Sequence, residues 1–415
     1  MAEIHSAPTD FTQGSTTVWN PPDSFVARAS AALLRRLDGI TDRLTGQIEQ
    51  AESFYGSAGL VSSEELWRSN HTNLGAVLRY MSGQGALETT APRETGNRRA
   101  QTGVPLPSVL RAYRLGGELI WDELLAEAGS DAVAKEELLT VASEIWRLTD
   151  QYSQTLTIGY QQAVTEQVRR DARAHDAAMD ALLTGRVDGA RQWECARTLG
   201  LPPQGEFVVV AASTDDAAQD ALPGIDTALS LLGVASAWRL RVDVHLGIVS
   251  LTPRFTIDRL CGLLRERGAG SIGVSSVAAT LPELPMGLRQ AELACAAVES
   301  GLSRVQRYET ALIPVLLAGS PEVATALTST VLGPILTLAA HDRDTLLTTL
   351  RAWFEHDGDI AAAAAALFCH PNTVRLRLNR IARLTGRRLG APHTVTEFDL
   401  ALRAHRIHGG APATP

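Results

Sequence analysis

The sequence predicts a multidomain chain with an all-α N-terminal helical bundle, an α+β middle domain and an all-α C-terminal helix-turn-helix domain. Apolar residues recur at three- and four-residue spacing between residues 24 and 186, which is the period of amphipathic helices. From residue 205 the pattern changes to short β-branched runs, and near the C-terminus an alanine-rich stretch precedes an arginine-rich one. A length of 415 residues fits roughly three domains.

These changes of pattern predict the following division of the chain. We expect a flexible lead-in over 1–24, a helical domain over 25–165, a connecting helix and linker over 166–204, a middle domain over 205–312, a linker helix over 313–340 and a helix-turn-helix domain over 341–410. The lead-in is assigned because it is polar and contains two consecutive prolines. Glycine, serine and proline clusters separate the helical segments predicted at 25–52, 64–81, 106–128 and 136–162.

Aromatic and polar side chains of the helical domain raise the question of a ligand pocket between helices. The candidates are Tyr113, Tyr152, Trp121, Trp146 and Arg111. Aromatic residues at helical spacing are more often ordinary core, so the ligand of such a pocket stays unknown and no cofactor is expected. His71 is the one histidine of the region 25–165, and a lone histidine seldom forms a haem or metal site.

The segment 164–183 continues the helical pattern with many charges and ends before Gly185. It is expected to connect the helical domain to the middle domain. Pairing with a second copy in a dimer is one interpretation, and a solvated charged surface is the other. No heptad repeat is long enough to identify a coiled coil.

The middle domain is predicted to alternate strands and helices in the order β-α-β-β-α-β-α-β. Its two central strands are expected to form a hairpin with a tight turn near 242–245. This order predicts an antiparallel-containing sheet with helices on one face. The strands are expected at 206–213, 238–251, 271–276 and 305–308, and the helices at 225–232, 256–267 and 284–300.

Three glycines of the middle domain, Gly268, Gly270 and Gly273, match the pattern G-x-G-x-x-G. In a dinucleotide-binding fold these glycines follow a strand and precede a helix, so that the helix N-terminus meets the pyrophosphate. Here they follow a predicted helix and precede a predicted strand. We therefore expect Gly268 to end the helix and expect no nucleotide at this position.

The C-terminal segment has the cap signals of three consecutive helices. Asp344 is expected to cap the first helix and Gly358 to end it, while Asp359 is placed to cap an alanine-rich second helix. His370 precedes a proline and should be extended, and Pro371 suits the first position of a third helix. This arrangement is typical of a helix-turn-helix domain.

The third helix has two faces of different chemistry. Val374, Leu378 and Ile381 share a face that we expect to pack on the other two helices. No acidic residue lies between Asp359 and Glu397, so the helix is strongly basic. Arginine and asparagine side chains can contact phosphates and base edges, which predicts binding to double-stranded DNA, although a solvated basic face is the alternative. The predicted contacts are Asn372, Thr373, Leu376, Asn379, Arg380 and Arg383, with Arg375 and Arg377 on the flanks.

The tract that begins at His370 resembles the C-terminal helix-turn-helix of the PucR/CdaR family of bacterial transcriptional regulators. The family pattern is close to H-R-N-T-[LV]-R-x-R-L-x-R-I-x-x-L-T-G, and this chain departs from it at Pro371 and carries leucine at Leu376, where tyrosine is frequent. A further helix with a capping-box pattern from Thr394 to Glu397 also resembles the family. The matching residues are His370, Asn372, Thr373, Val374, Arg375, Arg377, Leu378, Arg380, Ile381, Leu384, Thr385 and Gly386.

Two other regions resemble domains found in the same regulators. The stretches 103–125 and 144–156 are similar to the helical domain of RsbT co-antagonist proteins, which implies a sensory or dimerising module over residues 30–165. The middle domain resembles a degenerate GGDEF-like domain. Its hairpin, Arg241-Val242-Asp243-Val244-His245, has neither the glycine pair nor the phenylalanine of an active cyclase, so the resemblance implies no cyclase activity.

Composition bounds the remaining possibilities. The net charge of −8 argues against a protein that coats nucleic acid along its whole surface, because the basic charge is concentrated at one end. The four cysteines form no C-x-x-C pair, and no apolar run reaches the ~18 residues of a membrane span, so we expect a cytoplasmic protein without metal or membrane partners. P-loop, nucleophile-elbow and zinc-protease motifs are missing, and we expect no enzyme.

The sequence therefore predicts a ligand-responsive DNA-binding regulator. Its expected partners are double-stranded DNA, an unidentified small-molecule effector bound by the helical or middle domain, and further copies of itself in a homodimer or higher homo-oligomer. A non-enzymatic signalling adaptor that acts through protein–protein contacts is the alternative, which an absence of salt-sensitive DNA binding would favour.

Overall fold

The computed structural model describes residues 23–56, 59–213, 220–241, 244–299 and 305–408. It contains two compact units, one that ends at Ala172 and one that begins at Arg173. The predicted lead-in lies outside the described residues except for Asp23 and Ser24.

The first unit is helical. The Oγ of Ser24 accepts a hydrogen bond from the N–H of Ala27 and so caps the first helix. The single helix predicted over 25–52 is interrupted at Arg36. The last helix of this unit continues past Ala172 and includes the predicted connecting segment. The helices are α1 (Phe25–Arg35), α2 (Leu37–Ala51), α3 (Ser63–Met81), α4 (Thr90–Gln101), α5 (Leu106–Ala128) and α6 (Ala132–Thr184).

Helix α4 was not predicted, because its sequence TAPRETGNRRAQ has almost no apolar period. Close backbone packing against α6 holds it instead. A Cβ on Gly96 would lie 2.1 Å from the carbonyl oxygen of Leu156, and one on Gly159 would lie 2.3 Å from that of Arg93. Glycine at both positions lets the two helices approach. Arg99 of α4 is 2% exposed and donates to Glu65 Oε1 at 2.6 Å, so its charge is paired.

The second unit contains a five-stranded sheet with strand order β2-β3-β1-β4-β5. Most pairs are antiparallel, for example Val209 opposite Ile248, and only the last pair is parallel. The predicted hairpin is present, although its residues Val242 and Asp243 lie outside the described residues. The strands are β1 (Glu206–Ser213), β2 (Ser236–Leu240), β3 (His245–Leu251), β4 (Ser271–Val274) and β5 (Val305–Arg307).

Helices cover both faces of this sheet, so the prediction of helices on one face was wrong. The helices of this region are α7 (Gly189–Thr198), α8 (Ile225–Leu231), α9 (Ile257–Arg267) and α10 (Leu284–Ala296). Val209 packs in one core with residues of α7, α10 and the end of α6, whereas Val208 and Val210 pack in another with α8 and α9. The physical reason is that β1 is apolar on both sides, and all of 207–212 are fully buried.

The glycine pattern of the middle region has structural roles. Gly268 is the C-terminal cap of α9, as predicted, and its N–H donates to the carbonyl of Leu264. A Cβ on Gly273 would lie 2.0 Å from the carbonyl oxygen of Ala291, so glycine permits α10 to lie against β4. The order helix, glycines, strand is the reverse of a dinucleotide site.

The C-terminal part of the second unit is helical. Val331, Leu350, Ile381 and Phe398 are 0–1% exposed and form its core. No single described helix is long and apolar enough to cross a membrane, and among the described residues only the bent pair Leu312–Ala318 and Pro321–Leu336 passes that test when taken together. The helices are α11 (Leu312–Ala318), α12 (Pro321–Leu336), α13 (Ala340–Glu355), α14 (Ile360–Ala366), α15 (Pro371–Thr385) and α16 (Pro392–His408).

Two predicted helix caps were wrong. Helix α13 begins at Ala340, so Asp344 lies inside the helix and pairs with Arg343 at 2.9 Å. Helix α16 begins at Pro392, so Thr394 is buried within it, and Glu397 forms an ion pair with Arg387 rather than a capping box. In both cases the helix starts earlier than the local cap signal, by four residues in α13 and by two in α16.

Candidate nucleic-acid interface

Helix α14 supports the interface without contributing chemical groups to it. Asp359 caps the helix as predicted, with its Oδ1 accepting from the N–H groups of Ala361 at 2.7 Å and Ala362 at 3.3 Å. Ala363 and Ala364 are 0–1% exposed and belong to the core shared with α15. Because an alanine side chain is a single methyl, α14 and α15 can pack closely.

A short turn sets the start of α15. Phe368 has a positive φ of 51°, and the N–H of Cys369 donates to the carbonyl of Ala364. His370 is extended and is the N-cap, with its Nδ1 accepting from the N–H of Asn372 at 3.1 Å. Pro371 is the first residue of the helix, as predicted.

The two faces of α15 differ as the sequence predicted. Val374 and Ile381 are fully buried and Leu378 is 7% exposed. The opposite face lies open to solvent and includes Leu376, which is 61% exposed. The spacing of its members places them in one row along the helix. The exposed residues are Asn372, Arg375, Leu376, Asn379 and Arg383.

The other three predicted contacts are partly buried. Arg380 pairs with Asp342 of α13, Nη2 to Oδ2 at 2.6 Å, and Arg377 donates to Thr349 Oγ1 at 3.3 Å. Thr373 is also half-buried. Arg380 therefore lies half-buried against α13 rather than in the exposed row, because α13 covers the side of α15 that carries Arg377 and Arg380. Arg375, predicted on the flank, is exposed.

Two residues of this region were missed by the sequence reasoning. The Arg380 guanidinium, through its hydrogen bond and its charge, lowers the pKa of the Asp342 carboxyl, so this carboxylate is ionised and competes for Arg380. Asp342 lies 38 residues before Arg380, and no local pattern links the two. Phe368 is 98% exposed in the turn before α15, where its φ is positive, and its apolar side chain gave no sequence signal for this position.

The pocket candidates of the first unit divide into two groups. Tyr113 and Tyr152 line a cavity between helices, and burial raises the pKa of both phenols, which keeps them neutral. Trp146 is 52% exposed, Arg111 pairs with Glu52 at 3.1 Å, and Trp121 does not line the cavity.

The histidine predicted within the helical domain lies in an ordinary polar contact. His71 stacks on Trp67, with ring centroids 4.8 Å apart, and its Nε2 is 3.2 Å from Asp38 Oδ1. Among the described residues, no group of three or more histidine, cysteine or carboxylate side chains could hold a metal.

A capped alanine helix, a tight turn and a helix with an outward row of arginine and asparagine define a helix-turn-helix domain. Three family models match the chain in order: the RsbT co-antagonist protein rsbRD N-terminal domain over 38–175, the GGDEF-like domain over 184–297 and the PucR C-terminal helix-turn-helix domain over 346–404. The C-terminal domain is thus similar to the PucR helix-turn-helix, and the two regions before it are similar to the rsbRD N-terminal and GGDEF-like domains.

Curated relatives share part of this chain. An uncharacterized protein of Mycobacterium tuberculosis is 27% identical over 282 residues, 62% of this chain and 63% of that protein. The carbohydrate diacid regulator of Escherichia coli is 40% identical over 89 residues, 21% of this chain and 23% of that regulator. The purine catabolism regulatory protein of Bacillus subtilis is 28% identical over 183 residues, 43% and 33% of the two chains. The match thus spans less than two thirds of each relative.

Proposed function

We propose that this protein is a ligand-responsive transcriptional regulator that binds double-stranded DNA through α15. The observation that carries the proposal is the outward row of Asn372, Arg375, Leu376, Asn379 and Arg383, which packing does not require. The two relatives whose names describe regulation support it through their similarity to this chain.

The chemistry of the row suits a major groove. Arginine can donate two hydrogen bonds to the O6 and N7 of guanine, and asparagine can pair with the N6 and N7 of adenine. An exposed leucine can contact the methyl group of thymine in the same way as other apolar side chains. The backbone of α15 is fixed by its buried face, so these side chains are presented at constant spacing.

We further propose that an effector binds the first unit or the sheet region and changes occupancy of DNA by a homodimer or higher homo-oligomer. A ligand shifts an equilibrium only by its difference in affinity for two states, so the effector must bind the DNA-competent and DNA-incompetent forms unequally. The match of the first unit to a signalling-protein domain supports this role.

Regulation without catalysis is part of the proposal. The hairpin between β2 and β3 carries Arg241 and His245, and the latter lies 2.9 Å from Asp220. Purified protein incubated with GTP and Mg²⁺ or Mn²⁺ should form no cyclic dinucleotide. Product that increases in proportion to protein concentration would contradict this part of the proposal.

Recovery of DNA tests the proposal as a whole. Full-length protein should retain specific fragments from a genomic pool, and the logarithm of its affinity should fall linearly with the logarithm of salt concentration. The double variant Asn372→Ala, Asn379→Ala should keep its melting temperature and lose sequence preference. Wild-type protein that retains no fragment above the background, at low or at physiological salt, would favour the adaptor alternative.

A further inference from the structure

A cavity of about 70 Å³ lies in the core of the first unit, between α2, α3, α5 and α6. Its walls are mostly aliphatic and include Leu44, Met81, Ile120 and Leu148. Protein cores are close-packed, with few voids larger than a water molecule, and roughly 10–15 Å³ on this measure already holds one water. The space is therefore large enough for a small organic molecule.

Two consecutive glycines of α5, Gly116 and Gly117, line this cavity. Each glycine inside a helix costs about 0.5–1 kcal/mol relative to alanine. For Gly117 the neighbours explain that cost, because a Cβ there would lie 2.8 Å from Thr149 Oγ1. For Gly116 they do not, because a Cβ would meet only Leu44 Cδ2, at an ordinary 3.6 Å. The effect of Gly116 is to leave the cavity open.

The polar groups in the wall offer acceptors and no charge. The Tyr113 hydroxyl donates to Asn73 Oδ1 at 3.0 Å, which leaves the hydroxyl oxygen able to accept. Asn70 uses its amide N–H to donate to Thr45 Oγ1 at 3.1 Å, and its Oδ1 has no hydrogen bond to a described residue. None of the described residues that line the cavity is charged. A charged ligand would lose its hydration here without gaining a counter-ion.

We propose that this cavity binds a small, uncharged, largely apolar molecule with a hydrogen-bond donor, and that this molecule is the effector. Its identification as the effector rests on the proposed function, whereas binding itself does not. The aliphatic wall excludes water from the apolar part of the ligand, and the Tyr113 and Asn70 oxygens accept from its polar part.

Calorimetry on the full-length protein, without DNA, tests the proposal with benzyl alcohol as the probe and benzoate as its anionic counterpart. Benzyl alcohol should bind saturably, and benzoate at least about tenfold more weakly. Gly116→Leu should fill the cavity and weaken benzyl alcohol binding at least about tenfold. Gly46→Leu is the matched control, because a Cβ on Gly46 in α2 has nothing within 4 Å and does not face the cavity.

If Gly116→Leu does not fold, Gly116→Ala takes its place, and its single methyl should weaken binding while raising the melting temperature. Three results would overturn the proposal: no saturable binding of benzyl alcohol, equal affinity for benzoate, or unchanged binding by the Gly116 variants. Because the assay contains no DNA, its failure is distinguishable from a failure of DNA binding.

Discussion

Helices α15 and α5 depart from ordinary amphipathic packing in opposite ways. Helix α15 exposes an apolar Leu376 and a row of arginine and asparagine where packing would accept any polar residue. Helix α5 has Gly116 at a buried position where packing would accept a methyl group. The first departure adds groups to a surface, and the second removes atoms from a core. The proposed DNA-binding surface thus depends on exposed side-chain groups that are present, and the proposed ligand cavity depends on side-chain atoms that are absent.

The largest expected effect separates the two faces of α15. Leu378→Ala removes a buried side chain and should lower the free energy of unfolding by about 2–5 kcal/mol, measured by denaturant titration. Leu376→Ala, two residues earlier on the exposed side, should change it by about 0.5 kcal/mol or less and instead weaken DNA binding. Similar losses of stability in both variants would show that Leu376 is core, and the assignment of the faces would be wrong.

An intermediate effect separates the two glycines of α5. Gly117→Ala should destabilise the protein, because its methyl would lie 2.8 Å from Thr149 Oγ1. Gly116→Ala should stabilise it by up to about 1 kcal/mol through helix propensity alone. Thermal melting of the two variants measures the difference. Destabilisation by Gly116→Ala would mean that no empty space adjoins this residue.

A smaller effect concerns Arg380 of α15, whose charge is paired with Asp342 of α13. Asp342→Asn should free Arg380, strengthen DNA binding and steepen its salt dependence by about one charge. Stability should hardly change, because the side chains of the pair are 44% and 45% exposed. Asp344→Asn is the matched control, since it alters net charge equally without freeing Arg380. If both variants strengthened DNA binding equally, Asp342 would affect binding only through the net charge of the protein.

Local signals made the helix-turn-helix predictable. Asp359 caps α14 and Pro371 starts α15 through contacts within three residues, so the sequence alone could place both helices. The pairing of Arg380 with Asp342 could not be placed, because it joins residues on different helices. In the sheet, the continuous apolar run 207–212 did contain the signal for burial on both faces, and the expectation of helices on one face only was wrong.

The cavity shows a stricter limit of sequence reasoning. Gly116 and Gly117 are the same residue in the same helix, and only the positions of Leu44 and Thr149 distinguish their roles. Tyr113 and Tyr152 were identified as pocket candidates by type, but so were Trp121, Trp146 and Arg111, which do not line the cavity. Residue types can suggest a pocket, but only the three-dimensional structure shows whether an empty volume is present.

The central claim is that the outward row of α15 binds DNA, and the affinity of Arg383→Ala for a recovered DNA fragment tests it most directly. Arg383 is exposed and is the last residue of the row along α15. Its loss should raise the dissociation constant by about 5- to 150-fold, equivalent to about 1–3 kcal/mol, with an unchanged melting temperature. The control variant Arg197→Ala, an exposed arginine of α7, should bind like wild type. Wild-type affinity in Arg383→Ala at physiological salt would contradict the account.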